Sequence, residues 1–175
     1  MRRSQLFAAL FAAALFLRPS VGLTQGDSPE RTDLRAGQQL THDEQKFLDL
    51  INHERAARSL CELRLDPLLV TVAREHSREM CDKNYFDHQS PTPGLRTPMD
   101  RYLHAVPRRP PYACVGENLF YCSVVDVDRG HHALMTSPGH RANILFPRFR
   151  QCGVGIYKSE RGEFWVTEMF LTNES

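Results

Sequence analysis

Three side chains able to do acid–base or ligand chemistry fall where turns or strand ends would present them: His88, Glu117 and His140. His140 follows Ser137-Pro138-Gly139, and that turn leads into a stretch, 141–145, that can start a helical turn or run on toward Phe149. A histidine delivered by a tight turn is placed by backbone geometry more than by packing, which suits a ligand or a proton carrier. The plain alternative is a surface loop that happens to hold it. His88 lies in Asn84-Tyr85-Phe86-Asp87-His88-Gln89-Ser90-Pro91, a segment that breaks the preceding helix. Glu117, beside Gly116, is either a solvated loop acid or an acid aimed into a cleft. His76 falls on the apolar face of a helix and reads as a packed core histidine. No Gly-x-Ser-x-Gly motif occurs, and no cysteine is next in sequence to His88 or His140. A cysteine–histidine pair made by the fold stays open.

The elements that must hold these residues show local signals. Thr41-His42-Asp43-Glu44 is a capping box, so a helix starts there and should run to about residue 59 with Phe47, Leu48, Leu50, Ile51 and Ala57 on its apolar face. Asn52 and Arg55 lie three apart on one side of it, where such residues face solvent or tie a neighbouring loop. Asp66 and Pro67 open a second helix, 66–81, with Asp as cap and Pro at the first position. Prolines and a glycine keep residues 91–98 irregular before a short helix around 99–103. A strand is expected at 115–121, a third main helix at 126–135, and a terminal β-hairpin from 153–157 and 164–171 around a turn at 159–162.

The chain has 175 residues, 41% hydrophobic and 25% charged, which fits one globular domain with its own core. A net charge of +1 gives no argument for nucleic acid or an anionic membrane surface. Arg2 and Arg3 precede an apolar run at 6–17 made only of Leu, Phe and Ala, and small residues follow at Ser20 and Gly22. This is the layout of a secretory signal peptide, residues 1–22, and the run is short of the roughly 20 residues that span a bilayer. A polar linker, 23–40, then leads to the domain, 41–173. The expectation is an exported protein, secreted or periplasmic, with no membrane span after signal cleavage.

Five cysteines fit an oxidising compartment and leave at least one thiol without an intramolecular partner. The helix 66–81 would separate its ends by about 22 Å, and a disulfide needs Cα atoms within about 7 Å. A strand likewise holds Cys114 from Cys122. Long-range pairs involving Cys152 are therefore favoured over Cys61–Cys81 or Cys114–Cys122, and the sequence does not settle the pairing.

Taken in order, several short motifs resemble the CAP superfamily of cysteine-rich secretory and pathogenesis-related proteins, above all its short bacterial exported form. They are Asn52-His53-Glu54-Arg55, Leu65-Asp66, Tyr85-Phe86-Asp87-His88, Gly116-Glu117-Asn118, the run from Ser137 through His140 to Leu145, Cys152-Gly153-Val154-Gly155 and Thr167-Glu168-Met169-Phe170. Each is weak alone; the ordered set, over residues 47–172, is specific. The resemblance implies an α+β fold, an α-β-α sandwich with a small antiparallel sheet between helical layers. It also implies a cleft in which His88, Glu117 and His140 match three of four family positions. The fourth, an acid, falls near Thr136 or Ser137 and is missing. Leu134 replaces a usual tryptophan, and His131 and His132 lie nearby.

Asn52 and Arg55 are implied to hydrogen-bond the loops that frame the cleft, with Asn118 and Ser137 as further supports. Two imidazoles and a carboxylate, His88, His140 and Glu117, would make an open three-ligand set that suits Zn²⁺. The expected function is a secreted, non-catalytic binding module. It would hold a small apolar or lipid-like ligand, or another envelope or extracellular protein, through the His-Glu-His cleft, with no certain cofactor beyond a Zn²⁺ that the three-ligand set could hold. The alternatives are a Zn²⁺-dependent hydrolase and a structural envelope or stress protein.

Overall fold

The computed structural model describes residues 39–174. The expected signal peptide, 1–22, and linker residues 23–38 lie outside the described residues. Helix α1 (His42–Ala56) begins at the expected capping box: Thr41 accepts from the Glu44 amide, and the Glu44 carboxylate accepts from the Thr41 amide. It stops three residues before the expected end, because the chain turns off through Ser59 in the left-handed region, φ 58°. The two-residue strand β1 (Arg64–Leu65) precedes α2 (Pro67–Asp82), which is capped by Asp66 with Pro67 in the first turn. The short helix α3 (Pro98–Ala105) has its own capping box, Thr97 with Asp100. Strand β2 (Tyr112–Cys122) outruns the expected strand at both ends, since it pairs with β4 along its whole length. Helices α4 (Val127–Thr136) and α5 (Pro138–Ile144) follow, and β3 (Gln151–Lys158) and β4 (Phe164–Glu174) form the expected hairpin.

The sheet order is β1-β3-β4-β2. Its three long strands are antiparallel, and β1 adds to β3 in parallel, making the sheet mixed instead of wholly antiparallel. Alternation along the strands sends side chains into two cores. Val154, Phe164, Val166 and Phe170 pack with Phe47, Ile51, Leu134 and Ile144 on the α1/α4/α5 side. Met169 and Leu171 pack with Leu69, Val72, Ala73 and Tyr102 on the α2/α3 side. The architecture is thus an α-β-α sandwich.

The second layer sits close because β3 offers glycine where α2 crosses it. A Cβ at Gly155 would lie 2.0 Å from the Arg74 amide nitrogen, and one at Gly153 would lie 2.4 Å from the Leu69 carbonyl carbon. With the backbones in contact, Ser77 donates to the Gly155 carbonyl at 2.9 Å and shares a second hydrogen bond with the Thr167 hydroxyl at 2.8 Å. This packing fixes the lateral position of α2, and hence of the acid and histidine it carries.

The expected disulfides are not formed: all five cysteines are free thiols. Cys152 is fully buried in the α1-side core. Cys114 shares its sheet face but lies two strands away, because Cys152 opposes Phe170 on β4 and Cys114 opposes Thr172. Two strand spacings are about 10 Å, beyond disulfide reach.

Candidate functional site

The site forms at edge strand β2, where the two helical layers meet over it. Glu117 projects toward α2 and α3, and its side chain is only 1% exposed. Oε1 lies 2.8 Å from Nδ1 of His88, and Oε2 accepts from Nη2 of Arg101 at 2.5 Å. An ionised carboxylate only accepts, so His88 carries its proton on Nδ1 here and turns Nε2 outward. Its ring is 49% exposed. The carboxylate raises the His88 pKa above its ordinary value by stabilising the imidazolium.

Arg101 anchors the site as well as neutralising it. Its Nη1 donates to the carbonyls of His88, Leu95 and Arg96 at 3.1, 3.1 and 3.3 Å, so the guanidinium stitches the irregular 83–97 segment to Glu117. No sequence motif marks Arg101; a buried arginine in a short helix looks like a solvated one until its partners are known. His76 is also closer to the chemistry than a core histidine. Its Nε2 lies 3.2 Å from the Asp87 carbonyl and 3.9 Å from Glu117 Oε1, both acceptors, so the proton sits on Nε2. On the other edge, Tyr85 gives its hydroxyl proton to Glu79 at 2.6 Å, and His76 Nδ1 lies 3.6 Å from that carboxylate. Burial lowers the His76 pKa and keeps the ring neutral.

His140 arrives from the opposite layer, on α5. Asn118 donates to the His140 carbonyl at 3.1 Å and accepts from Asn143, which also donates to the Glu117 carbonyl at 3.1 Å. These amides lash α5 to β2. The His140 pKa is lowered, first by burial and then by the charge of His88 nearby. Ser137 makes no side-chain cap; it serves through its backbone, accepting from the Arg141 amide at 2.9 Å. His131 and His132 do not join the cleft. His132 is exposed, and buried His131 feels the charges of Glu54, Asp128 and His53 on the far side of α4.

The two α1 residues tie neighbouring backbone instead of facing solvent. Asn52 holds the backbone of Leu63 at both ends, donating to its carbonyl at 3.1 Å and accepting from its amide at 2.8 Å. Arg55 is fully buried and donates to the carbonyls of Cys61, Ile144, Phe146 and Phe149. Ile144 is the last residue of α5, so the guanidinium sits at that helix's negative end.

As arranged, His88, Glu117 and His140 do not fit a three-ligand zinc site. Both Glu117 oxygens are engaged, one of them by a guanidinium whose charge repels a second cation. Among the described residues no group of three or more His, Cys, Asp or Glu side chains is placed to hold a metal ion.

Beneath α5 lies a second acid. Glu168 is fully buried; Asn118 donates to its Oε2 at 3.0 Å, and Oε1 has no partner among the described residues. Burial raises its pKa from 4.5 to about 7. The folded chain therefore binds a proton there that the unfolded chain has released. That contribution is fully present below pH 4.5 and is lost as the pH rises through 7. Over this window the parent should lose on the order of 2–3 kcal/mol relative to Glu168→Gln. Urea unfolding of both proteins across the window checks this, and parallel pH profiles would refute it.

Residues 48–170 match the CAP family, described as the cysteine-rich secretory protein family. The chain is 39% identical over 128 residues to YkwD, an uncharacterized protein of Bacillus subtilis strain 168, covering 73% of this chain and 46% of the relative. It thus spans less than half of that relative's length. Among solved structures, an extracellular SCP-domain protein from Bacillus anthracis strain Ames superposes with a TM-score of 0.62 at 30% identity, over 81% of this chain and 49% of the other. An outer surface protein from Borrelia burgdorferi gives 0.68 at 19% identity, covering 78% of this chain and 96% of the other, and so shares the fold. With the family pattern running through both helical layers and all four strands, the chain belongs to the CAP family of cysteine-rich secretory proteins.

Proposed function

We propose that this CAP-domain protein is an exported binding module without chemistry of its own. It holds a small apolar or lipid-like ligand, or another envelope or extracellular protein, at the cleft of His88, Glu117 and His140. The observation that carries this is the state of Glu117. A buried carboxylate bonded to His88 on one oxygen and to Arg101 on the other is a structural keystone, not a free base or ligand. What the cleft offers a partner is the outward edge of His88 and the neighbouring His140. Export rests on the N-terminal sequence pattern and on similarity to an extracellular SCP-domain protein.

Native mass spectrometry of protein purified from its own envelope should show a bound apolar molecule or partner. A His88→Ala, His140→Ala double variant should bind the species so identified at least tenfold more weakly. Casein cleavage that requires added Zn²⁺ and both histidines would overturn the proposal in favour of a hydrolase.

A further inference from the structure

Beyond the cleft, where the 83–97 segment meets the ends of β2 and β4, an open groove of about 470 Å³ is lined by five aromatic residues, of which Phe86, Tyr121 and Trp165 pack on one another. Tyr121 and Trp165 pack with centroids 4.4 Å apart, and Phe86 lies 6.3 and 6.2 Å from them. Trp165 is anchored in a small core with Met80 and Leu119, whereas Phe86 and Tyr121 are 51% and 40% exposed. Rings held rigidly from below and left bare above make a platform.

The rim is polar and electrically balanced. Glu163 accepts from the Tyr121 hydroxyl at 3.2 Å and is paired with Arg161 at 3.0 Å. Asn84 brings an amide to the groove lining, and the buried indole N–H of Trp165 has no hydrogen-bond partner among the described residues.

These features discriminate between ligand classes. An acyl chain gains most from enclosure, and this groove is open to water. An alkylammonium group is held best by rings spread around it, but Tyr121 and Trp165 pack directly on each other and Phe86 leans on both. A basic peptide needs an unneutralised acid, and Arg161 already occupies Glu163. A pyranose ring fits what remains, with C–H faces to lie on the aromatic rings and hydroxyls that both donate and accept at its edge.

We propose that the Phe86–Tyr121–Trp165 groove is a binding site for a neutral sugar chain. Its rings stack on Phe86 and Tyr121, and its hydroxyls meet Asn84 and Glu163. The site is separate from the His88 cleft and does not depend on how that cleft is read.

Trp165 is the sole tryptophan of the chain, so its fluorescence reports on this groove directly. Titration of the whole protein with chitotetraose or cellotetraose should give a saturable change in Trp165 emission. Phe86→Ala, at an exposed position, should keep the parent's thermal midpoint and weaken binding at least tenfold. Tyr121→Ala should weaken it similarly and serves as the second variant if the first fails to fold. No response to either sugar at its solubility limit, or equal affinity in a folded variant, overturns the proposal. So does a saturable response to a proline-rich peptide or to phosphatidylcholine vesicles without one to the sugars, which would make the groove a peptide or lipid site.

Discussion

Replacing Arg101 by methionine is expected to destabilise the protein by about 3–5 kcal/mol, the range for removing one partner of a buried ion pair. Methionine fills similar space, so the loss is electrostatic more than steric. Glu117 would keep its burial and its bond to His88 but lose its counter-charge at Oε2, while three loop carbonyls would lose their shared donor. Arg101→Lys should recover only part of the loss, because a single ammonium cannot meet a carboxylate and three carbonyls from a planar fork. Urea unfolding of the three proteins measures the effect. A loss below about 1 kcal/mol for Arg101→Met would place the pair among weak surface bridges and refute the keystone role of Arg101. The same variant probes the cleft: if the guanidinium is what excludes a cation, Zn²⁺ affinity measured by calorimetry should rise on its removal.

Gly155→Ala is expected to cost about 3 kcal/mol or more, at or beyond the upper end for overpacking a core. The new methyl would meet the Arg74 nitrogen at 2.0 Å and the Ala73 carbonyl carbon at 2.2 Å, both backbone atoms of α2 that no rotamer change can move aside. The helix must lift, breaking the Ser77 bonds to Gly155 and Thr167 and displacing His76 and Glu79 with it. Gly139→Ala is the control. It lies in α5, where an added Cβ meets nothing within 4 Å, and alanine is the better helix former. That change should be neutral or stabilising by about 0.5–1 kcal/mol. Thermal and urea unfolding of both variants decide the matter; equal stability would mean that α2 does not rest on β3 as described.

Much of the scaffold was legible because it is written in local chemistry. Thr41 with Glu44 and Asp66 with Pro67 each satisfy backbone groups within one helical turn, so three or four residues suffice to place a helix start. The hairpin was readable for the same reason, with two strands rich in apolar residues on either side of a short turn. Asn52 and Arg55 were identifiable as loop ties, although their partners, Leu63 and the carbonyls after α5, come from the fold.

The length of β2 was not legible, because its ends are strand only by virtue of pairing with β4. The state of the cleft was decided by tertiary structure alone. Glu117 finds His88 across 29 residues and Arg101 across 16, and neither spacing follows from helical or strand periodicity. His76 shows the same limit: its position on an apolar helix face is identical for a core residue and for one beside a buried carboxylate. Phe86, Tyr121 and Trp165, from a loop and two strands, meet only because the sheet brings the ends of β2 and β4 to the loop after α2. Sequence determines where the capped helices begin and which of their faces is apolar; strand limits, and the charge state and occupancy of a site, depend on which faces the packed layers bring within a few ångströms of one another.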